Sequence, residues 1–261
     1  MRAIPEDNLA YPLLIKFDTG SQGSGFLLRA DKKVFLITAK HVLFDDDKKI
    51  RGSNIDLIIP ARDINDDSVH VYGVDLRVLA PIAHPNSDVA AIEMGELEKT
   101  ETGEGYKLIA NSGVTKKVSG KTTMIQVDAG KVKLLEEVLI SNNVFLSGYP
   151  TSLGMADSPQ FDYNKPLLRK GIVANVYKNH GTIIIDCPVY YGNSGGPVVE
   201  VEQDGLNGLH YKIIGLVSQF IPFVQKWVNT RNRLVNTEFE NSGYSVVVAM
   251  DKVFELIGYK R

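Results

Sequence analysis

The sequence predicts an all-β fold. Its apolar segments are short, rich in Val, Ile, Phe and Tyr, and bounded by Gly, Pro, Asn or Asp, and they succeed one another without helical patterns between them. Strands spaced this closely form antiparallel barrels or sandwiches rather than a parallel sheet. A third observation divides the chain: Glu96 to Gly120 is polar and rich in Gly, Thr and Lys, the composition of a connection between two halves.

In chain order, strands are expected at Leu13–Phe17, Gly25–Leu28, Val34–Thr38, Ile55–Ile59, Val74–Leu79 and Val89–Ile92. The second half offers Met124–Val127, Val144–Gly148, Gly171–Ala174, Thr182–Asp186, Pro197–Val201, Tyr211–Val217 and Ser245–Met250. Leu134–Ile140 reads equally as a helical turn or a strand. Asp251–Ile257 begins with an N-cap residue and spaces its apolar residues along one helical face, so it predicts a C-terminal helix packed on the second half.

The composition is that of an ordinary globular protein, with 44% hydrophobic and 23% charged residues among 261. A formal net charge of −2 gives no field that favours nucleic acid or an anionic membrane. No apolar run has the length that crosses a bilayer, and Met1–Asp7 lacks the basic-then-apolar pattern of a signal peptide. Cys187 is the single cysteine, so no intrachain disulfide forms. Together these features lead to the expectation of a cytoplasmic protein. Cysteines and histidines are not paired at ligand spacing and no phosphate-cradling loop occurs, so neither metal nor cofactor is expected.

Three segments carry candidate chemistry. In Tyr191-Gly192-Asn193-Ser194-Gly195-Gly196-Pro197, glycines flank a serine, which suits an exposed nucleophile with backbone N–H groups around it. The same residues would also make an ordinary hairpin turn. His41 ends the apolar strand segment Val34–Thr38, a rigid support for an imidazole, yet a lone histidine there is more often structural. Asp88 precedes the apolar run Val89-Ala90-Ala91-Ile92, where it could hold a histidine N–H or equally its own backbone. His84 is the rival base, while His70, His180 and His210 read as structural.

In combination the segments resemble a known family. Thr38-Ala39-Lys40-His41, Asp88-Val89-Ala90 and Gly192-Asn193-Ser194-Gly195-Gly196-Pro197 are similar to the His, Asp and Ser motifs of the trypsin/chymotrypsin superfamily, in the order that family uses. Gly23-Ser24-Gly25-Phe26-Leu27 and Ile214-Gly215-Leu216-Val217-Ser218 resemble its flanking patterns, so the likeness runs from about residue 11 to 250. It implies two antiparallel six-stranded β-barrels with a C-terminal helix. The first unit, residues 1–104, would carry His41 and Asp88. The second, residues 105–261, would hold the inter-barrel segment, the Ser194 barrel and the helix.

By the same resemblance the protein is a serine endopeptidase acting through an acyl-enzyme on a polypeptide substrate. Ser194 is the nucleophile, His41 the general base and Asp88 the group that orients it. Backbone N–H groups in Gly192-Asn193-Ser194 form the oxyanion hole, foremost those of Gly192 and Ser194. Ser218-Gln219-Phe220 match the strand that pairs with substrate, and Pro188 lies at the base of the primary specificity pocket. Without a carboxylate there, small or medium apolar side chains are expected, with Phe220 narrowing the pocket. Asn193 stands where trypsin-type digestive enzymes have an aspartate that pairs with a new N-terminus. The loop instead resembles those of bacterial high-temperature-requirement proteases and related non-zymogen peptidases. The competing reading is a catalytically silent relative that binds a peptide or partner protein in the same groove. With no recognition module apparent, a restricted processing enzyme acting with partner proteins of a larger system is the expected setting.

Overall fold

The computed structural model describes residues 3–63, 65–100, 106–151, 160, 162–203, 205, 208–229, 231 and 233–261. After a one-turn helix, α1 (Glu6–Leu9), the run from Pro12 to Thr38 makes three successive antiparallel strands: β1 (Pro12–Phe17), β2 (Gln22–Ala30) and β3 (Lys33–Thr38). They are apolar almost throughout because both faces are covered. Leu13, Ile15 and Phe17 enter the main core, whereas Leu14 faces the other way onto Ile58 and Tyr149. After the single turn α2 (Lys40–Leu43) come β4 (Asn54–Pro60), β5 (Val69–Asp75), β6 (Ile82–Ala83) and β7 (Ala90–Lys99). β8 (Tyr106–Ala110), β9 (Val114–Val118) and β10 (Val127–Asp128) complete the first sheet.

Its strand order is β6-β7-β3-β2-β1-β4-β5-β9, with β8 added to β7 and β10 pairing β2 in parallel. The curled sheet therefore has ten strands rather than the six expected. The additions are the short β6, the strands β8 and β9 from the polar connection, whose alternation with charged residues concealed them, and β10, which overlaps the expected Met124–Val127 strand at Val127 alone. The expected boundary at 104/105 lies outside the described residues, and residues 106–118 pair with the first sheet.

The second unit is a closed six-stranded barrel, order β11-β12-β13-β16-β15-β14. Its strands are β11 (Asn143–Gly148), β12 (Leu167–Tyr177), β13 (Thr182–Asp186), β14 (Pro197–Gln203), β15 (Leu209–Asn229) and β16 (Leu234–Ala249). Strand alternation sends Val144, Leu146, Val198, Val247 and Ala249 inward. Phe145, Val199, Ile213, Leu216 and Val248 point outward into the core shared with the first sheet. This two-sided apolarity joins the barrels.

Several local expectations are settled or corrected. Val74–Leu79 stops being a strand at Asp75, because its carboxylate takes the Arg77 N–H and guanidinium and its carbonyl the N–H groups of Val78 and Leu79, which closes a turn. Of Met124–Val127 only Val127 is in a strand, while Leu135–Glu137 form a 3-10 turn. The C-terminal helix α3 (Met250–Ile257) exists, but Met250, Val253 and Phe254 join the core shared with the first sheet rather than packing on the second barrel alone. Asp251 does not cap its own helix; its carboxylate accepts the N–H of Leu135 at 2.8 Å.

Candidate active site

Thr38 ends β3, and Ala39 is still extended (φ −70, ψ 142), so Lys40–Leu43 form one helical turn beyond the strand. Val42 and Leu43 bury their side chains, which leaves His41 facing solvent at the sheet edge. Lys40 Nζ donates to His84 O at 3.0 Å and Arg51 Nε to His41 O at 2.9 Å, so the turn is tied on both sides.

Asp88 stands two residues before β7, whose pairing with β3 brings it beside His41. Its carboxylate is not spent on its own backbone. Oδ1 accepts the His41 N–H at 3.1 Å; Oδ2 lies 2.9 Å from His41 Nδ1 and accepts the Ser218 hydroxyl at 2.6 Å. Burial would raise the Asp88 pKa, but the hydrogen bond and charge of His41 and the Ser218 hydroxyl outweigh it and hold the carboxyl below its usual range. A carboxylate on Nδ1 leaves Nε2 as the nitrogen available to a neighbouring hydroxyl.

Ser194 belongs to the second barrel. Its hydroxyl donates to Ser218 O at 3.2 Å, so Ser218 joins it to Asp88: one residue accepts from Ser194 through its carbonyl and donates to Asp88 through its hydroxyl. In this rotamer Ser194 Oγ is bonded to the Ser218 carbonyl rather than to the imidazole; in sites of this chemistry the serine–histidine bond is commonly long before substrate binds.

The loop that carries Ser194 is built on two left-handed glycines, Gly192 (φ +89) and Gly195 (φ +86). A Cβ on the first would collide with Tyr149 O and on the second with Ser24 O and Thr38 Oγ1, so both conformation and space require glycine. Asn193 closes the turn: its N–H donates to Tyr190 O at 3.0 Å and its Oδ1 accepts the Tyr190 N–H at 2.9 Å. Of the three candidate oxyanion residues, Asn193 thus has its N–H committed inside the loop.

Ser24, on β2 of the first sheet, enters the sequence reading only within the flanking pattern Gly23-Ser24-Gly25-Phe26-Leu27, with no role of its own. Fully buried, it donates from Oγ to Gly192 O at 2.6 Å and accepts the Tyr149 N–H at 2.9 Å, and its own N–H donates to Ser194 O at 2.9 Å. One serine between two glycines therefore fastens the Ser194 loop to the opposite barrel. His180, read as structural, lines the cleft beside the site. His84 is buried with Nε2 3.3 Å from Glu255 Oε1, and His70 bonds Thr122 O, so neither faces Ser194.

A cleft of about 510 Å³ runs from His41 and Asp88 past Ser218 and Gln219 to His180 and Thr182. On the other side of Ser218, Phe220 meets Tyr191 edge to face, with ring centroids 6.0 Å apart. Pro188 is half-buried in the segment fixed to β16 by Cys187 N–H to Gly243 O (3.0 Å) and Ser245 Oγ to Cys187 O (2.7 Å). Among the described residues no His, Cys, Asp and Glu cluster could hold a metal ion, and no helix is long and apolar enough to cross a membrane.

Comparison with known proteins bears on the fold and the family. No curated protein matches the chain significantly in sequence. A serine endoprotease from Yersinia pestis superimposes with a TM-score of 0.51 at 12% identity, over 99% of this chain and 67% of that one. The thermostable serine protease AL20 from an extremophilic microorganism gives 0.53 at 13% identity, over 98% of each chain. The HtrA-type protease AlgW with tripeptide gives 0.52 at 14% identity, over 97% of this chain and 60% of that one. These likenesses are of fold. The trypsin-like peptidase domain matches residues 23–209, the stretch that holds His41, Asp88 and Ser194, and the chain belongs to that family.

Proposed function

We propose that the protein is a serine endopeptidase in which Ser194, His41 and Asp88 act as nucleophile, general base and orienting carboxylate. The observation that supports this reading best is the single network joining Asp88 to His41 and, through Ser218, to Ser194, across two barrels. Ser194 Oγ attacks the scissile carbonyl while His41 Nε2 takes its proton; the imidazolium then protonates the leaving amine, and water completes the cycle by the same route. Asp88, held ionised, keeps the Nδ1 proton in place and stabilises the imidazolium. The N–H groups of Gly192 and Ser194 receive the oxyanion, each such donor worth about 3–4 kcal/mol of barrier. Ser218-Gln219-Phe220 add the substrate backbone as a strand. Pro188 lies toward the specificity pocket, and the Phe220–Tyr191 contact supports a preference for small or medium apolar side chains.

The second reading, a silent peptide-binding relative, draws on the Ser194 hydroxyl bonding Ser218 rather than His41. Labelling with a fluorophosphonate probe decides between them. Covalent labelling of the parent that is lost in Ser194→Ala and His41→Ala is the expected result. A folded parent that stays unlabelled sinks the peptidase reading and leaves the groove binder.

A further inference from the structure

β15 and β16 are 21 and 16 residues long, far more than the barrel uses. β14 accompanies β15 only as far as Leu216, whereas β15 and β16 stay paired out to Asn229 and Leu234. From Ser218 outward, the edge of β15 that faced β14 carries no strand among the described residues. The result is a two-stranded arm that starts at the nucleophile.

Its side chains are not those of a solvated ribbon. Phe223, Trp227, Leu234 and Phe239 are 52%, 59%, 66% and 68% exposed. An isolated two-stranded ribbon is marginal in water, and apolar groups displayed along an open edge are a template for an added strand. Two irregularities lie near the arm's root: the first inserts Ser218 into β15 (Val217 opposite Val247, then Gln219 opposite Val246). The second has its extra residues in β16 (Phe220 opposite Ser245, then Pro222 opposite Asn241), so the alternation of β15 resumes at Gln219 and continues outward. Gln219, Ile221, Phe223 and Trp227 therefore share one face. Gln219 lines the cleft of about 510 Å³ beside His41, and Ile221 lines a neighbouring cavity of about 610 Å³; His180 and Thr182 border both. Across the arm Glu240 stands opposite Phe223 and Glu238 opposite Gln225, which makes this apolar face acidic at its margin.

We propose that the arm is an extended subsite: a polypeptide substrate, stretched out N-terminal to its scissile bond, adds along the free edge of β15 from Ser218 to Trp227. Its alternate side chains drop into the two cavities and onto Phe223 and Trp227. The substrate class is an unfolded segment with apolar residues at alternate positions and a Lys or Arg among them to face Glu238 and Glu240. At about 3.3 Å per residue, the arm engages a peptide about ten residues upstream of the cut. This rests on the peptidase reading of Ser194 for the direction of the chain, and the test separates the two.

Trp227 is the only tryptophan, so its fluorescence reports arm occupancy directly. The probe is a twelve-residue peptide with Val, Lys and Val at alternate positions and serines between, compared with its last four residues, each ending in an alanyl coumarin amide. Binding to Ser194→Ala protein is expected to shift Trp227 emission with the long peptide and not with the short one. In the parent, kcat/KM for the long peptide should exceed that for the short by about tenfold, the worth of two or three cross-strand side-chain pairs. Phe223→Ser, which keeps the reporter, should collapse that ratio. Emission that ignores the long peptide, or equal cleavage of both peptides, overturns the proposal. So does an arm already occupied in a dimer, seen as peptide-insensitive emission together with a sedimentation shift that Phe223→Ser abolishes. Fluorophosphonate labelling tests Ser194 separately, and the emission measurement stands even where labelling fails.

Discussion

Replacing Ser24 by alanine should weaken both the fold and the reactivity proposed for Ser194. The hydroxyl is fully buried and holds two backbone groups of the other barrel, the Tyr149 N–H and the Gly192 carbonyl. Alanine keeps the Cβ, so little volume is lost, and the Ser24 N–H still reaches Ser194 O. What remains is one buried donor and one acceptor without their partner, at about 1–3 kcal/mol each, and the expected destabilisation is about 3 kcal/mol. For a chain of this size, 1 kcal/mol moves Tm by about 2–4 °C, so calorimetry should show a fall of about 6–12 °C. The labelling rate at 25 °C, where both proteins remain folded, should drop roughly tenfold. A loosened Gly192 carbonyl misplaces the adjacent donors without deleting them, and outright loss of one donor costs about 100- to 1000-fold. A variant that melts within about 1 °C of the parent and labels at the same rate would refute the idea that this hydroxyl joins the barrels.

Two further outcomes follow from the charge states. Asp88 is depressed below its ordinary value of 3.8 in the folded protein, so its contribution to stability is present above that value and disappears as the pH falls through the lower folded one. The parent should therefore resist denaturant better than Asp88→Asn at neutral pH, and the two curves should converge below pH 3.8; a gap independent of pH would contradict the assignment. Burial pushes the Cys187 thiol up to about 11, so iodoacetamide should modify it in denatured protein and barely at all in native protein at neutral pH. Rapid native alkylation would mean that the wall around Pro188 opens.

The sequence carried the alternation of strands, the order of the His, Asp and Ser segments and the glycines of the nucleophile loop, because these are local: a strand's apolar face and a left-handed glycine are written in adjacent residues. Asp88 was legible only through its company, since a strand-initiating aspartate bonded to its own backbone looks identical. β8 and β9 stayed hidden because strands on the margin of a sheet keep charged side chains in water and show no apolar run. Asp251 departs from its expected N-cap role for a similar reason, as a side chain that fits its own helix can be claimed by a backbone N–H from 116 residues away.

What the sequence by itself determined was therefore the class of fold and the identity of the candidate triad. Tertiary structure alone decided which atoms those residues use: that Ser218 couples Ser194 to Asp88, that Ser24 pins the loop from the other barrel, and that Asn193 closes the turn with its own N–H. It alone also revealed that β15 outruns its barrel neighbour and becomes an arm. Each is a pairing between segments far apart in the chain, and such pairings depend on strand register and barrel closure, which no window of neighbouring residues records.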